Sequence, residues 1–202
     1  MGSAEPLVLA SRSPRRAQLL RMLGVQFETR PPAGDGPPRE AGESPQDYVR
    51  RQAEAKALSI ARQAEVGIVL GADTIVFLDG EVLEKPRDAA QARTFLRRLA
   101  DREHEVYTGV ALMRAGGAPR ASGVERSRVR FGPLDDAVIA AYVASGEPLD
   151  KAGAYGIQGL GGQLVTAIEG CYFNVMGLPL ARLRALFREL GRASTDREGD
   201  RA

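Results

Sequence analysis

The chain has 202 residues, with 28 Lys and Arg against 26 Asp and Glu, one His, one Cys and no Trp. That length supports one substantial core, while a lone Cys171 excludes an internal disulfide and a lone His104 excludes a His-cluster or Cys/His zinc site. A net charge of +2 gives no broad basic field of the kind nucleic-acid binders carry, so any anion site must be local.

The N-terminus has Glu5 and Pro6 ahead of a short apolar run and lacks the basic start and long apolar stretch of a secretory signal. The longest uncharged stretch, Ala152 to Ile168, is interrupted by glycines and glutamines and cannot form a membrane helix. A soluble, cytoplasmic protein is expected.

Leu7 to Ala10 reads as a buried strand, followed by a helix with Ser13 as cap, Pro14 at its first position and Gly24 as its stop. A second short strand is expected over Gln26 to Glu28, then an irregular proline- and glycine-rich loop from Arg30 to Gly42. Ser44-Pro45 opens another helix, running to about Ala64, with Tyr48, Val49, Gln52, Ala53, Lys56, Ala57 and Ile60 at helical spacing. Val66 to Leu70 reads as a buried strand leading into the segment Gly71-Ala72-Asp73-Thr74. Ile75 to Leu78 and Glu81 to Leu83 form a hairpin about Asp79-Gly80.

Asp88 caps the next helix; His104 to Arg114 and Ala121 to Phe131 read as long strands, and Leu134 to Ser145 as a helix. A glycine-rich loop over Gly153 to Gly162, a strand over Leu164 to Ile168 and a final helix from Leu178 to Leu190, closed by Gly191, complete the pattern. Residues 192–202 are small and charged and are expected to form a disordered tail. Alternating strands and helices without a composition break indicate one α/β domain, residues 1–191, on a mixed β-sheet flanked by helices.

Five segments carry residue types suited to chemistry. Ser11-Arg12-Ser13-Pro14-Arg15-Arg16 places hydroxyls and guanidinium groups at a strand-to-helix turn, where free N–H groups and the helix dipole favour a phosphate. A capped helix with solvated arginines is the alternative.

Counting outwards from the hairpin turn puts Thr74 opposite Lys85, with Asp73 next along. A site shared by Asp73 and Lys85 then requires a bend or twist at Asp73. Lys56 alone reads as an ordinary helix-face lysine. In the glycine loop Gln158 offers a donor and an acceptor for a base edge. Asn174, in the turn before the last helix, can bind ligand or cap. His104 and Cys171 lack nucleophile partners and read as structural.

Taken in order, Leu-Ala-Ser-Arg-Ser-Pro-Arg-Arg at 9–16, the helix from Glu-Ser-Pro to Lys56-Ala57, Gly-Ala-Asp-Thr at 71–74, Glu-Lys-Pro at 84–86, the loop from Lys151 to Gly162 and Val-Met-Gly-Leu-Pro at 175–179 resemble the Maf family of nucleoside triphosphate pyrophosphatases. The resemblance runs from about Leu7 to Leu190. It implies a Maf/ITPase-like fold with a central nucleotide cleft, and cleavage between the α and β phosphates with a divalent metal, Mg²⁺ or Mn²⁺. It also implies a homodimer, with neither nucleic acid nor membrane as a partner.

By resemblance Asp73 is the proton acceptor and a metal ligand, and Lys56, Lys85 and Arg16 are catalytic. Ser11, Ser13, Arg15, Thr74, Gln158 and Asn174 bind substrate. Arg15, Thr74 and Gln158 together resemble the branch acting on dTTP and UTP rather than the branch acting on 7-methyl-GTP. The family's usual paired acid is replaced here by Asp35-Gly36, and either Asp35 or Glu40 stands in for it as a metal ligand. The rival from another class is a nucleotide- or nucleic-acid-binding regulator of cell division, since the family has been associated with septum inhibition.

Overall fold

A computed structural model describes residues 5–34, 36–118 and 120–199, the last eight as backbone only. It is an α/β structure. The strands are β1 (Leu7–Ala10), β2 (Glu28–Thr29), β3 (Ile68–Leu78), β4 (Glu81–Leu83), β5 (Glu103–Arg114), β6 (Arg120–Phe131) and β7 (Val165–Glu169). The helices are α1 (Pro14–Met22), α2 (Pro45–Ala61), α3 (Ala89–Leu99), α4 (Asp136–Ala144), α5 (Tyr172–Met176) and α6 (Leu180–Gly199). The strands form a mixed sheet ordered β2-β1-β3-β5-β6-β7, with β4 paired to β3. β1 runs parallel to β2 and β3, while β3–β4 and β6–β7 are antiparallel.

The chain divides into two compact units, one comprising 1–73, 108–124 and 177–202, the other 74–107 and 125–176. Chain crossings fall inside β3, β5 and β6 as well as after α5, which is why no linker composition marks them in the sequence.

In the first unit the buried cluster is rich in small residues: Ala53, Ala57 and Ala61 of α2 pack with Val8, Ala10, Val69, Ala111 and Met113 of the sheet. Spacing of four puts these alanines on one helix face. Two glycines let that face come closer still. A Cβ on Gly71 of β3 would lie 2.3 Å from the Ala53 carbonyl oxygen, and one on Gly109 of β5 would lie 2.2 Å from that of Val49.

The caps behave as their residue types dictate: Ser13, Ser44 and Asp88 accept from the N–H three residues on, and Pro14 and Pro45 open their helices.

The second unit is built around aromatic and aliphatic side chains, including Phe95, Phe131, Ile139, Tyr142 and Tyr155. His104 is part of this core. Its ring meets Phe131 and Tyr155 edge-on, and its Nε2 lies 2.8 Å from the Tyr155 hydroxyl. The structural reading of His104 stands, and burial pulls its pKa down to about 3.

That shift has a definite sign. The unfolded chain takes up a proton near pH 6.5, whereas the folded chain refuses it until about pH 3. Stability is therefore lost as pH falls through that window and is unaffected by this group above it. The urea midpoint of His104→Gln should fall less between pH 7 and pH 4.5 than that of the parent. Equal falls in both proteins would show that the histidine stays unlinked to folding.

Three sequence expectations change. The strands expected over Val66 to Leu70 and Ile75 to Leu78 are one, because β3 runs unbroken from Ile68 to Leu78 through Gly71 to Thr74. The hairpin forms as expected about Asp79 and Gly80, both at positive φ, but its ladder ends at Val76 opposite Leu83, so Thr74 and Lys85 do not pair. Finally, α6 does not stop at Leu190 but continues through Gly191 to Gly199. Residues 200–202 of the expected tail lie outside the described residues.

Candidate functional site

The strand's alternation decides what Asp73 faces. Residues i and i+2 of a strand share a face, so Asp73 points the way Gly71 does, towards α2. Lys56 lies beside Ala57, whose own backbone N–H would be 2.7 Å from a Gly71 Cβ. Its ammonium reaches back over the strand, and Lys56 Nζ lies 2.6 Å from Asp73 Oδ1, with both side chains largely shielded. The Lys56–Asp73 pair itself forms without a bend at Asp73. Lys56, which reads as an ordinary helix lysine from sequence, is paired with the acid at the centre of the first unit's site.

The turn between β1 and α1 supplies the cations. Ser11 is buried, and its hydroxyl oxygen accepts from the Ser13 N–H and from Arg16 Nη1, each at 3.1 Å. Arg16 Nε donates to the Gly177 carbonyl at 2.8 Å, which fixes the guanidinium plane from the far end of the chain. Burial lowers the Arg16 pKa to about 10, against Asp73, which raises it, and with Arg15, which lowers it further. Arg16 is thus a held cation at neutral pH. Ser13 serves as the cap of α1, accepting from the Arg16 N–H at 3.5 Å, and Arg15 is half-buried beside it. Arg12 reaches away, donating to the Pro32 carbonyl at 3.1 Å.

Asp35 lies outside the described residues. Glu40 is exposed in the loop before α2, its backbone N–H donating to Glu43 at 3.0 Å. That loop is held by a contact sequence reasoning missed. Arg51 of α2 forks onto the Glu43 carboxylate at 2.7 and 2.8 Å and also donates to the Pro38 carbonyl. The Arg51 hydrogen bonds hold the Glu43 pKa down to about 2. Eight residues separate the two across a helix cap, so no periodic signal announces the pair.

In the second unit, Lys85 is exposed in the segment after β4, where the neighbouring Glu84 carbonyl accepts from the Gly153 N–H at 3.2 Å. Thr74 is half-buried on the face of β3 opposite to Asp73. Gln158 is exposed in the glycine loop.

Asn174 lies on α5. It is fully buried, and both hydrogens of its amide are committed, to the Val106 carbonyl at 3.0 Å and the Ser127 hydroxyl at 2.9 Å. Through its amide nitrogen it ties α5 to β5 and β6. Ser127 also joins the backbone of Cys171 at 3.0 Å in both directions, so Cys171 sits at a structural junction as expected.

Among the described residues, no three His, Cys, Asp or Glu side chains converge to cage a metal, and no helix is long and apolar enough to cross a membrane. The half-buried carboxylate of Asp73 is the oxygen donor the first unit offers beside its cations. Magnesium is commonly held by one or two carboxylates together with substrate phosphates, so these residues suit a metal that arrives with a nucleotide.

The family model described as "Maf-like protein" matches residues 6–190. A dTTP/UTP pyrophosphatase of Salinibacter ruber is 50% identical over 195 residues, covering 94% of this chain and 95% of that protein. One of Anaeromyxobacter sp. is 51% identical over 92% of this chain and 89% of its own length. One of Dictyoglomus turgidum is 44% identical over 92% and 96%. Among solved structures, a HAM1 protein from Coxiella burnetii aligns with 62% of this chain and 72% of that one at 18% identity and a TM-score of 0.44. The match over residues 6–190, and relatives similar along nearly their whole length, establish that the chain belongs to the Maf family.

Proposed function

We propose that this chain hydrolyses dTTP and UTP, together with modified pyrimidine nucleotides, to the nucleoside monophosphate and pyrophosphate. The relatives named above carry that activity in their names over the same length of chain. The observation that carries the chemistry is the Lys56–Asp73 contact with Arg16 fixed nearby, a carboxylate among held cations.

In the mechanism this supports, Asp73 uses Oδ2 to take a proton from water, whose oxygen attacks phosphorus at the α–β bridge. The bridging bond breaks and pyrophosphate leaves. Lys56 occupies Oδ1, which fixes the carboxylate's rotation and presents the other oxygen. Negative charge grows on the phosphoryl oxygens during transfer, and Arg16, Lys56 and Lys85 offset it, with the N–H groups at the start of α1 contributing partial charge. A divalent metal on Asp73, with Asp35 or Glu40 as the second acid, would add charge neutralisation at the same oxygens. Arg15, Thr74 and Gln158 select the base. The same reading carries a cytoplasmic location and a homodimer without nucleic-acid or membrane partners.

Incubation with dTTP, UTP and 7-methyl-GTP in the presence of Mn²⁺, with pyrophosphate release as the readout, tests the proposal. The two pyrimidine nucleotides should be turned over at least about tenfold more efficiently than 7-methyl-GTP. Preference for 7-methyl-GTP would move the chain to the other branch, and no turnover of any triphosphate would leave the regulator reading. Metal affinity should depend on substrate. Mn²⁺ titrated into the bare protein should bind at least about tenfold more weakly than into the complex with a non-hydrolysable dTTP analogue. Equal affinity would mean that the protein alone forms the metal site.

A further inference from the structure

The glycine loop is less free than its composition suggests. Glu147 sits on a short 3₁₀ turn after α4, and its carboxylate is turned into the loop. Oε2 accepts from the Leu160 N–H at 2.8 Å, and Oε1 accepts from the Gly161 N–H at 3.1 Å and from the Tyr142 hydroxyl at 2.8 Å. The Tyr142 hydroxyl oxygen in turn accepts from the Gly156 N–H at 3.1 Å. Gly159 donates to the Gly156 carbonyl at 3.2 Å, closing a turn whose central residues are Ile157 and Gln158. A Cβ on Gly159 would lie 2.3 Å from Glu147 Oε2, so the carboxylate fills the space against the loop.

Backbone N–H groups are thus captured on both sides of Gln158, two residues before it and two and three residues after it. The Gln158 side chain itself is left exposed at the corner. A primary amide presents one acceptor and a pair of donors in a plane, and the edge of uracil or thymine presents an N–H beside a carbonyl. Two such hydrogen bonds form together only if the amide is held in place.

We propose that Glu147, acting through Tyr142 and the loop backbone, is the positioning residue that fixes Gln158 for recognition of the pyrimidine edge. This rests on the function proposed above. Burial alone would raise the carboxyl pKa of Glu147, but the N–H groups of Gly161 and Leu160, the Tyr142 hydroxyl and the Lys151 charge together outweigh it and hold the group below its ordinary value, so the anchor is anionic at neutral pH. Tyr142 is buried in the core of the second unit, which makes the anchor rigid at its other end.

The test compares Glu147→Ala, Glu147→Gln, Tyr142→Phe and Gln158→Ala in the full chain with Mn²⁺. For Glu147→Ala, KM for dTTP should rise about tenfold while kcat changes by less than about threefold, and the preference for dTTP over dATP in kcat/KM should fall about tenfold. Gln158→Ala should lose the same preference, and combining it with Glu147→Ala should cost less than about threefold more, because both remove one function. Glu147→Gln, which keeps one acceptor and sets an amide N–H against a donor at the other position, where no hydrogen bond to it can form, should lie between. Tyr142→Phe keeps the ring in the core and removes the hydroxyl that links the Gly156 N–H to Glu147, so it reports even if Glu147→Ala fails to fold.

Amide hydrogen exchange gives a readout independent of turnover, with Leu160 and Gly161 exchanging at least about tenfold faster in Glu147→Gln. Unchanged exchange there, or a folded Glu147→Ala that loses kcat and keeps its base preference, would overturn the proposal. A parent chain that turns over no triphosphate overturns the function and the base-selection role with it, while the exchange data still decide whether Glu147 holds the turn.

Discussion

Asp73→Asn should lower kcat for dTTP by about three orders of magnitude, within the range that loss of a positioned general base produces, while leaving the fold and nucleotide binding in place. The side chains are nearly isosteric, and the amide oxygen can still accept from Lys56 Nζ, which lies 2.6 Å from Oδ1 in the parent. What disappears is the second basic oxygen and one negative charge. Removing an anion from the neighbourhood of Arg16 and Lys56 should leave the Kd for a non-hydrolysable dTTP analogue equal or lower, so the defect appears in kcat rather than in affinity.

The two roles given to Asp73 separate on metal dependence. If activity of the variant returns at high Mn²⁺, ligation is the larger role; if it stays low at every metal concentration, proton transfer is. Residual turnover above about a tenth of the parent's would remove Asp73 from the chemistry altogether.

The residues of this site were legible by type and only partly by arrangement. Ser13 and Pro14 announce α1, and Ser44 and Pro45 announce α2, because caps and first-turn prolines act locally and need no tertiary partner. The hairpin about Asp79-Gly80 was legible for the same reason: two successive residues at positive φ suit Asp followed by Gly.

Lys56 gave no such signal. A lysine on a helix is indistinguishable from a solvated one until the helix is laid on the strand, and that docking is decided by Gly71 and Gly109, far apart in sequence. Gly71 lies between the two strands expected from sequence, and it marks a close approach of helix to strand inside an unbroken β3. Asn174 shows the opposite case. An Asn before a helix reads as a cap or a ligand contact, and only its burial against Val106 and Ser127 reveals a tie within the core. Glu147 and Glu43 were invisible, since each acts on backbone or an arginine across a loop, where no sequence period applies.

The site therefore depends on one missing methyl group. Gly71→Ala should destabilise the fold by about 1–3 kcal/mol, the usual range for overpacking a filled core, lowering Tm by roughly 3–10 °C for a chain of this size. The new Cβ would lie 2.3 Å from the Ala53 carbonyl oxygen, 2.7 Å from the Ala57 N–H nitrogen and 2.9 Å from the Ala57 Cβ. The two nearest of these are helix backbone, so no rotamer change relieves the contact and α2 itself must move off the sheet. Lys56 moves with it. Displacement of a catalytic group by about 1 Å can cost about a hundredfold, so activity of the folded fraction should fall by between one and two orders of magnitude, well beyond what the stability loss alone would cause at 25 °C.

Trimming the helix should not repair this. In Gly71→Ala combined with Ala57→Gly the longest of the three contacts is removed but the Ala53 carbonyl remains, and Tm should stay depressed. Gly34→Ala is the control, because a Cβ there meets nothing within 4 Å, and it should change stability by less than about 0.5 kcal/mol. If Gly71→Ala instead kept both the parent's Tm and its turnover, the close seating of α2 on β3 could not be what brings Lys56 to Asp73.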